Sequence, residues 1–480
     1  MLSDEMREHL CNRLIPFWIK LRDTEHGGYY GWVDSELHVH REAVKGCILN
    51  SRILWFFSNV AMCLGKTGQD APAEAEGEQE SRWKEFDECP ESSRKGPEGN
   101  PESSRRGPEG NPESSRKGPE GNPESSWKGS EGNPENCLKG TCGYQEGCRE
   151  KGGVYWSVNC KGEPEDTTKH TYNQAFAVYA LSAYFRAFHN REALKLAEEL
   201  IAVIETECFD VHGYKEALDR EFQPVPNDKL SENGVMADRT MNTLLHVMEA
   251  YTEYLLACRE AGTPESAQAE PAKSMYGQEK LVEVKLRWIL NLVETRIYNP
   301  ELRRQEVFFD LAMNSLIDLH SYGHDIEAAW LMDRCLEVLG DEELTRKLSP
   351  VLRSMEQEVY EKAYTSHSLA NECERGVVDM KRVWWVQAEG VVGFWNAWQK
   401  TGDSRYREAS EDIWQFIREH LADKREGGEW FWYTDESGKP AMEKPIVEPW
   451  KCPYHNGRMC MEIIGRMKNG GEQYEITSAI

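Results

Sequence analysis

Apolar side chains recur along this chain at helical spacing, and the stretches they mark are of two kinds. Leu10, Leu14, Phe17, Trp18 and Leu21 form a single stripe over 4–21, the pattern of a helix with one face on a core. The stretch 41–65 differs: Val44, Ile48, Leu49, Ile53, Leu54, Phe56 and Val60 surround it on nearly all sides, so it reads as buried. Between the two, His26–Trp32 carries paired glycines followed by aromatics, then a polar turn at Asp34–Glu36, which together predict a short hairpin.

This alternation repeats. A stripe ending near His189 leads to one at 191–207 and the turn segment Val211–Tyr214. Helices are expected at 236–261 and 279–296, then at 322–340 and 342–362, followed by an irregular stretch before Arg382–Trp385. Further helices at 384–400 and 403–421 precede the aromatic segment Gly427–Trp432, and a last one starts near His455. Helix, helix, short aromatic hairpin is the unit of a toroidal repeat. The natural closed form is an all-α (α/α)6 barrel with short β-hairpins, one domain spanning 1–480. One outer helix is missing from the count, between 41–65 and the expected hairpin Gly152–Trp156.

The gap holds a biased segment. Glu-Ser-Ser-Arg-Lys-Gly-Pro-Glu-Gly-Asn-Pro starts at Glu91, and near-copies start at Glu102, Glu113 and Glu124. Rich in proline and glycine and without an apolar face, the repeats cannot offset their ordering entropy, so 70–150 is expected to be a disordered insertion. Over 91–134 the charges nearly cancel, eight Glu against seven Lys and Arg, which fits a neutral low-complexity insertion better than a docking linker.

Composition narrows the partners. Across 480 residues, 83 carboxylates against 57 Lys and Arg give a formal charge of -26. Nucleic acid and anionic membrane surfaces both call for a basic face, so neither is expected as a partner. No apolar run is read as a membrane span, and the N-terminus lacks the basic and apolar regions of a signal peptide. A cytoplasmic protein, monomeric or weakly dimeric, is expected. The 14 cysteines form no C-x-x-C pair, and the irregular spacing of Cys137, Cys142, Cys148 and Cys160 argues against a metal site there.

Polar residues on buried helices are the informative exceptions. Arg52 interrupts the apolar stretch 41–65, and Tyr172 and Asn173 open the next inner helix. Asn242 and His246 share a face at i,i+4; His324 and Glu327 do so at i,i+3, as do His455 and Arg458. Trp384, Trp385 and Glu389 mark the fifth inner helix, and Trp450 lies in the proline-fixed lead-in Glu448–Met459. Polar groups and aromatics converging at one mouth of a barrel suit a sugar, whose rings stack and whose hydroxyls bond. Blander readings stand beside this one. A lone buried His is usually a core residue, Arg52 could pair with Glu389, and Glu327 could orient His324. His320 and His324 lack an H-E-x-x-H context, so no metal is expected.

The stretches Arg239–Tyr251, Ser321–Ala328, Trp384–Glu389 and Glu448–Met459 closely resemble the cellobiose 2-epimerases of the N-acylglucosamine 2-epimerase superfamily, and the resemblance covers most of the chain outside 66–150. It implies an (α/α)6 barrel and cofactor-free epimerisation at C2 of the reducing-end sugar of a β-1,4 disaccharide. It further implies His324 and His455 as the acid/base pair, His246 as a third site histidine, and Arg52, Tyr172, Asn242, Glu327, Trp385 and Trp450 as substrate contacts or orienters. The residue types suit that chemistry on their own terms: two imidazoles on opposite faces of C2 can pass a proton through a cis-enediolate. An N-acylglucosamine 2-epimerase, a mannose or aldose–ketose isomerase, a glycoside hydrolase using two carboxylates, and an inactive remnant are the competing readings.

Overall fold

The computed structural model describes residues 2–65, 151–226, 229, 233–262 and 272–477. These belong almost wholly to one compact unit, Met1–Cys63 with Asn133–Ile480. The expected 70–150 insertion and the outer helix missing beside it lie outside the described residues.

The chain alternates between two helical rings. The outer helices are α1 (Leu2–His9), continued through a π turn at Leu10–Leu14 into α2 (Ile15–Lys20), then α5 (Arg191–Val203), α7 (Ala272–Leu292), α9 (Glu342–Ala363) and α11 (Ser404–Phe416). The inner helices are α3 (Cys47–Gly65), α4 (Thr171–Phe188), α6 (Met241–Ala261), α8 (Tyr322–Leu339), α10 (Trp384–Thr401) and α12 (His455–Thr477). Successive inner helices pack from α4 through α12. The ring closes on both sides of α3: Phe56 packs against Gly457 of α12, and Trp55 stacks on Tyr179 of α4 at 5.2 Å. A Cβ at Gly457 would lie 2.4 Å from the Phe56 ring, so only glycine permits this approach. In the outer ring α5, α7, α9 and α11 cover α4, α6, α8 and α10, while α1 covers α12.

Burial follows the two sequence patterns. In α4 every residue from Thr171 to Phe185 is buried; in α5 the buried set is Ala193, Leu194, Leu196, Ala197, Leu200 and Ile201, one stripe. α3 also meets the length and hydropathy of a membrane span over Cys47–Leu64, a feature the sequence reading did not register. Here it is an inner helix whose apolar faces meet α4 and α12.

Short links fix the pairing of inner with outer helices. α4, α8 and α10 each end on a left-handed residue, His189, Gly340 or Gly402, and an Asx residue then caps the outer helix. Asn190 Oδ1 accepts from Ala193 N–H at 3.0 Å, and Asp341 Oδ1 from Leu344 N–H at 3.1 Å. The outer helices α5, α7 and α11 finish in π turns at Ile204–Cys208, Val293–Ile297 and Ile417–Leu421, wider than the sequence suggested.

Two segments correct the sequence reading. The stretch 41–46 is turn and strand, since Lys45–Gly46 pairs with Ser157–Val158 before α3 begins. The supposedly irregular segment before Arg382 is ordered: Glu372–Glu374 pairs with both Leu319–Ser321 and Val377–Asp379.

Candidate active site

The strand-to-helix junctions of the inner ring deliver the polar exceptions to one end of the barrel. Arg52, His246, Glu327 and Glu389 each stand five residues beyond the first residue of their helix, Cys47, Met241, Tyr322 and Trp384. Tyr172, Asn242 and Trp385 each stand one residue beyond theirs, and His455 opens α12. Repeat geometry thus turns a common helical position into a ring of side chains.

A cavity opens at this end. Of the residues expected at the site, Arg52, Tyr172, Asn242, His246, His324, Glu327, Trp384, Trp385, Trp450 and His455 all line it. Trp385 packs against both proposed acid/bases, its ring 4.7 Å from His324 and 5.5 Å from His455. Gly323 lets it in, since a Cβ there would meet the Trp385 ring at 2.6 Å. Three buried polar atoms on cavity residues have no hydrogen-bond partner among the described residues: Arg52 Nε, Asn242 Oδ1 and Glu327 Oε2. Such groups are costly to bury unless something bonds them, so they suit a ligand rich in hydroxyls.

Beneath the cavity floor lies an ionic hub. The Arg458 guanidinium donates to Glu249, Glu327 and Glu389, the last at 2.8 Å. Each carboxylate has a further task. Glu249 Oε2 meets His246 Nδ1 at 2.9 Å and also accepts from the Tyr454 hydroxyl. Glu389 Oε1 meets His455 Nδ1 at 2.7 Å, and its Oε2 accepts from Trp330 Nε1 at 2.9 Å. Two donors fixed by their chemistry, Arg458 and Trp330 Nε1, meet Glu389 and favour its ionised form, which can only accept. His455 Nδ1 then carries the proton, and Nε2 is left to exchange one. His324 is held otherwise, through Nδ1 and the Ser321 hydroxyl at 2.7 Å.

Electrostatics set the protonation states. Burial lowers all three histidines; a neighbouring His246 adds to the shift on His324, and Arg458 to that on His455. Burial works to raise Glu249, but Arg458 and His246 hold it well below the usual carboxylate range. Glu327 is pushed well above that range by burial and by Glu389. Glu389 is raised by burial, against the pull of Arg458.

Several pairings differ from the sequence-based expectations. Arg52 does not reach Glu389; its guanidinium bonds the Tyr172 hydroxyl at 2.8 Å and lies over Phe176 and Tyr454, at 4.2 and 4.6 Å from their ring centres. Arg458 takes the carboxylates instead. Glu327 does not orient His324, which Ser321 holds. His320, whose partner the sequence did not suggest, turns to Asp325, with Nε2 to Oδ2 at 2.9 Å. Donor atoms of Glu327, Glu389 and His455 lie within 4.8 Å of one another, as a metal site would need, but Arg458 already bonds both carboxylates and supplies the positive charge.

Sequence reasoning missed part of the wall. Lys229, Asn233, Phe308, Asn371, Glu372 and Trp432 also line the cavity. They come from loops and hairpins, where no period marks them. Glu249 lay within a stretch already singled out, and its i,i+3 spacing to His246 was a usable signal. Behind Trp384, a buried pair supports the start of α12. Glu429 bonds Lys451 Nζ at 2.7 Å and accepts from the Asn456 amide.

Comparison with known proteins agrees with this geometry. Residues 128–260 and 287–456 match the model of the N-acylglucosamine 2-epimerase (GlcNAc 2-epimerase) family. A cellobiose 2-epimerase of Eubacterium cellulosolvens is 42% identical over 97% of this chain and 98% of its own. A crystal structure of a sugar epimerase from a ruminal bacterium matches with TM-score 0.77 and 39% identity, covering 97% of this chain and 99% of that one. The cellobiose 2-epimerase of Bacillus thermoamylovorans matches with TM-score 0.74 and 35% identity, covering 97% and 99%.

Proposed function

Because the chain belongs to the N-acylglucosamine 2-epimerase family, we propose that it epimerises the reducing-end glucose of cellobiose and related β-1,4 disaccharides at C2, giving the mannose epimer. The observation that carries this reading is that two imidazoles, His324 and His455, pack against one tryptophan in a cavity that also holds unpartnered polar groups.

The steps follow from the residues. His246, backed by Glu249, assists opening of the reducing-end ring to the aldehyde. One imidazole removes the C2 proton, and the electron pair forms the C1–C2 double bond of an enediolate with negative charge on O1. Arg52 is the donor for that charge, with Tyr172 hydrogen-bonded behind it. The second imidazole returns a proton to the opposite face. Burial favours the neutral state in which the first imidazole acts as base; its partner enters the step protonated on the nitrogen facing C2 and leaves it neutral, the two roles exchange in the reverse direction, and the reaction calls for no cofactor. Trp385 and Trp450 stack on the sugar rings, Trp384 supports His455 edge-on at 5.4 Å, and Asn242 and Glu327 bond hydroxyls. The same reading keeps the protein cytoplasmic and monomeric or weakly dimeric, with sedimentation velocity as the check on assembly.

A hydrolase would need two carboxylates across the scissile bond. The buried carboxylates Glu249, Glu327 and Glu389 are each bound to Arg458 instead. Incubation with cellobiose, mannose and N-acetylglucosamine in turn separates the alternatives. Conversion of cellobiose to its mannose-containing epimer is expected; glucose release, ketose from mannose alone, or epimer from N-acetylglucosamine alone would overturn the assignment.

A further inference from the structure

Away from the cavity, residues 32–40 fold into a small hairpin with an unusual set of side chains. Val33 pairs with Val39, and Asp34 N–H donates to His38 C=O at 3.1 Å. Leu37 turns the chain with a φ of 72°. This register sets Asp34 opposite His38, and strand alternation brings His40 to the same face. The side chains converge accordingly. Asp34 Oδ2 lies 3.3 Å from His38 Nδ1 and 3.1 Å from His40 Nε2. Asp34 Oδ1 is committed to the turn, accepting the N–H groups of Glu36 and His38 at 2.9 Å each.

We propose that Asp34, His38 and His40 form a surface site for a divalent transition cation of the zinc and nickel class. Two imidazole nitrogens with one carboxylate oxygen are a donor set for such ions, whereas magnesium and calcium prefer all-oxygen sites. Ligands bound tetrahedrally at about 2.0–2.1 Å stand about 3.3 Å apart. Two of the three ligand–ligand distances are therefore already in place. The third, between the imidazoles, closes by rotation of His38, whose side chain is 71% exposed. His40 Nε2 already bonds Asp34 Oδ2 at 3.1 Å, so a cation bound there replaces that hydrogen bond and its proton, while Nδ1 faces Glu42 Oε1 at 3.7 Å. Glu36, at 3.8 Å from His38, adds negative charge beside the site. Water completes the coordination.

The hairpin's position says what binding does. Val33 N–H donates to Val447 C=O at 3.0 Å, and Val447 N–H donates back at 3.1 Å. Val447 immediately precedes the lead-in that carries Trp450 and His455. A bound cation ties the hairpin backing that lead-in, so it acts on stability and not on the chemistry.

The test is calorimetric titration of the metal-free full chain with nickel chloride, beside an H38N/H40N double variant and D34N. Asparagine at 34 keeps the turn acceptor and removes the ligand charge. Because buried and partly buried thiols elsewhere also take soft cations, the difference between proteins is the readout. The wild type should bind one equivalent more than the double variant, with D34N at least about tenfold weaker at that site. Nickel should raise the melting midpoint of the wild type alone, and turnover of cellobiose should be the same in all three. Equal stoichiometry and affinity in wild type and double variant, or full-strength binding by D34N, would overturn the proposal.

Discussion

The two imidazoles that pack against Trp385 are held by opposite kinds of neighbour. His455 rests on Glu389, which is fixed by Arg458 and Trp330 in an ionic network that also reaches His246 through Glu249. His324 rests on one neutral hydroxyl, that of Ser321. An ionised carboxylate supports an imidazolium when it forms, while a hydroxyl gives little such help. The two proposed acid/bases thus differ in what stands behind them, although burial lowers both. The contrast shows how a barrel can tune two identical side chains.

The largest effects should come from the bases themselves. His324→Ala and His455→Ala are each expected to lower kcat for cellobiose by about 10³-fold or more with far-UV circular dichroism unchanged; retained turnover in either would remove it from the acid/base pair. Breaking the network comes next. Arg458→Met leaves three buried carboxylates without their counter-charge, and a loss of about 3–5 kcal/mol in stability is expected from denaturant unfolding, together with loss of activity. A smaller step compares the two supports directly. Glu389→Gln should reduce kcat by about 10²-fold and Ser321→Ala by less than about tenfold, at similar KM; equal losses would erase the asymmetry drawn above.

The smallest effect concerns stability. His9 Nε2 accepts from Trp430 Nε1 at 2.8 Å, and burial, reinforced by Arg13 and Arg418, pushes the imidazole down to about 3. The native state therefore stays neutral at pH values where the unfolded chain takes up a proton, and stability is lost as pH falls below about 6.5 towards 3. His9→Gln should flatten the fall of Tm over that range; an unchanged slope would show that His9 does not contribute.

Much of this was legible in the chain because the fold is a repeat. Apolar periodicity separated inner from outer helices, and polar residues such as Arg52, His246 and His324 stood out against their apolar helices. What could not be read was pairing across the barrel. Arg458 and Glu249 are 209 residues apart, and nothing local says that they meet. For the same reason Arg52 looked like a partner for Glu389, although aromatic faces claim it. The cavity rim was hidden for a different reason: Asn371 and Glu372 lie on a hairpin whose mixed polar sequence reads as irregular until Leu319–Ser321 pairs with it.

The central claim is proton transfer at C2 by two imidazoles, and turnover of cellobiose in D2O with NMR detection tests it most directly. The account predicts a mannose-containing epimer with one deuterium at C2, and no labelled epimer with His324→Ala or His455→Ala. Epimer formed without deuterium at C2, or labelled epimer from either alanine variant, would contradict it.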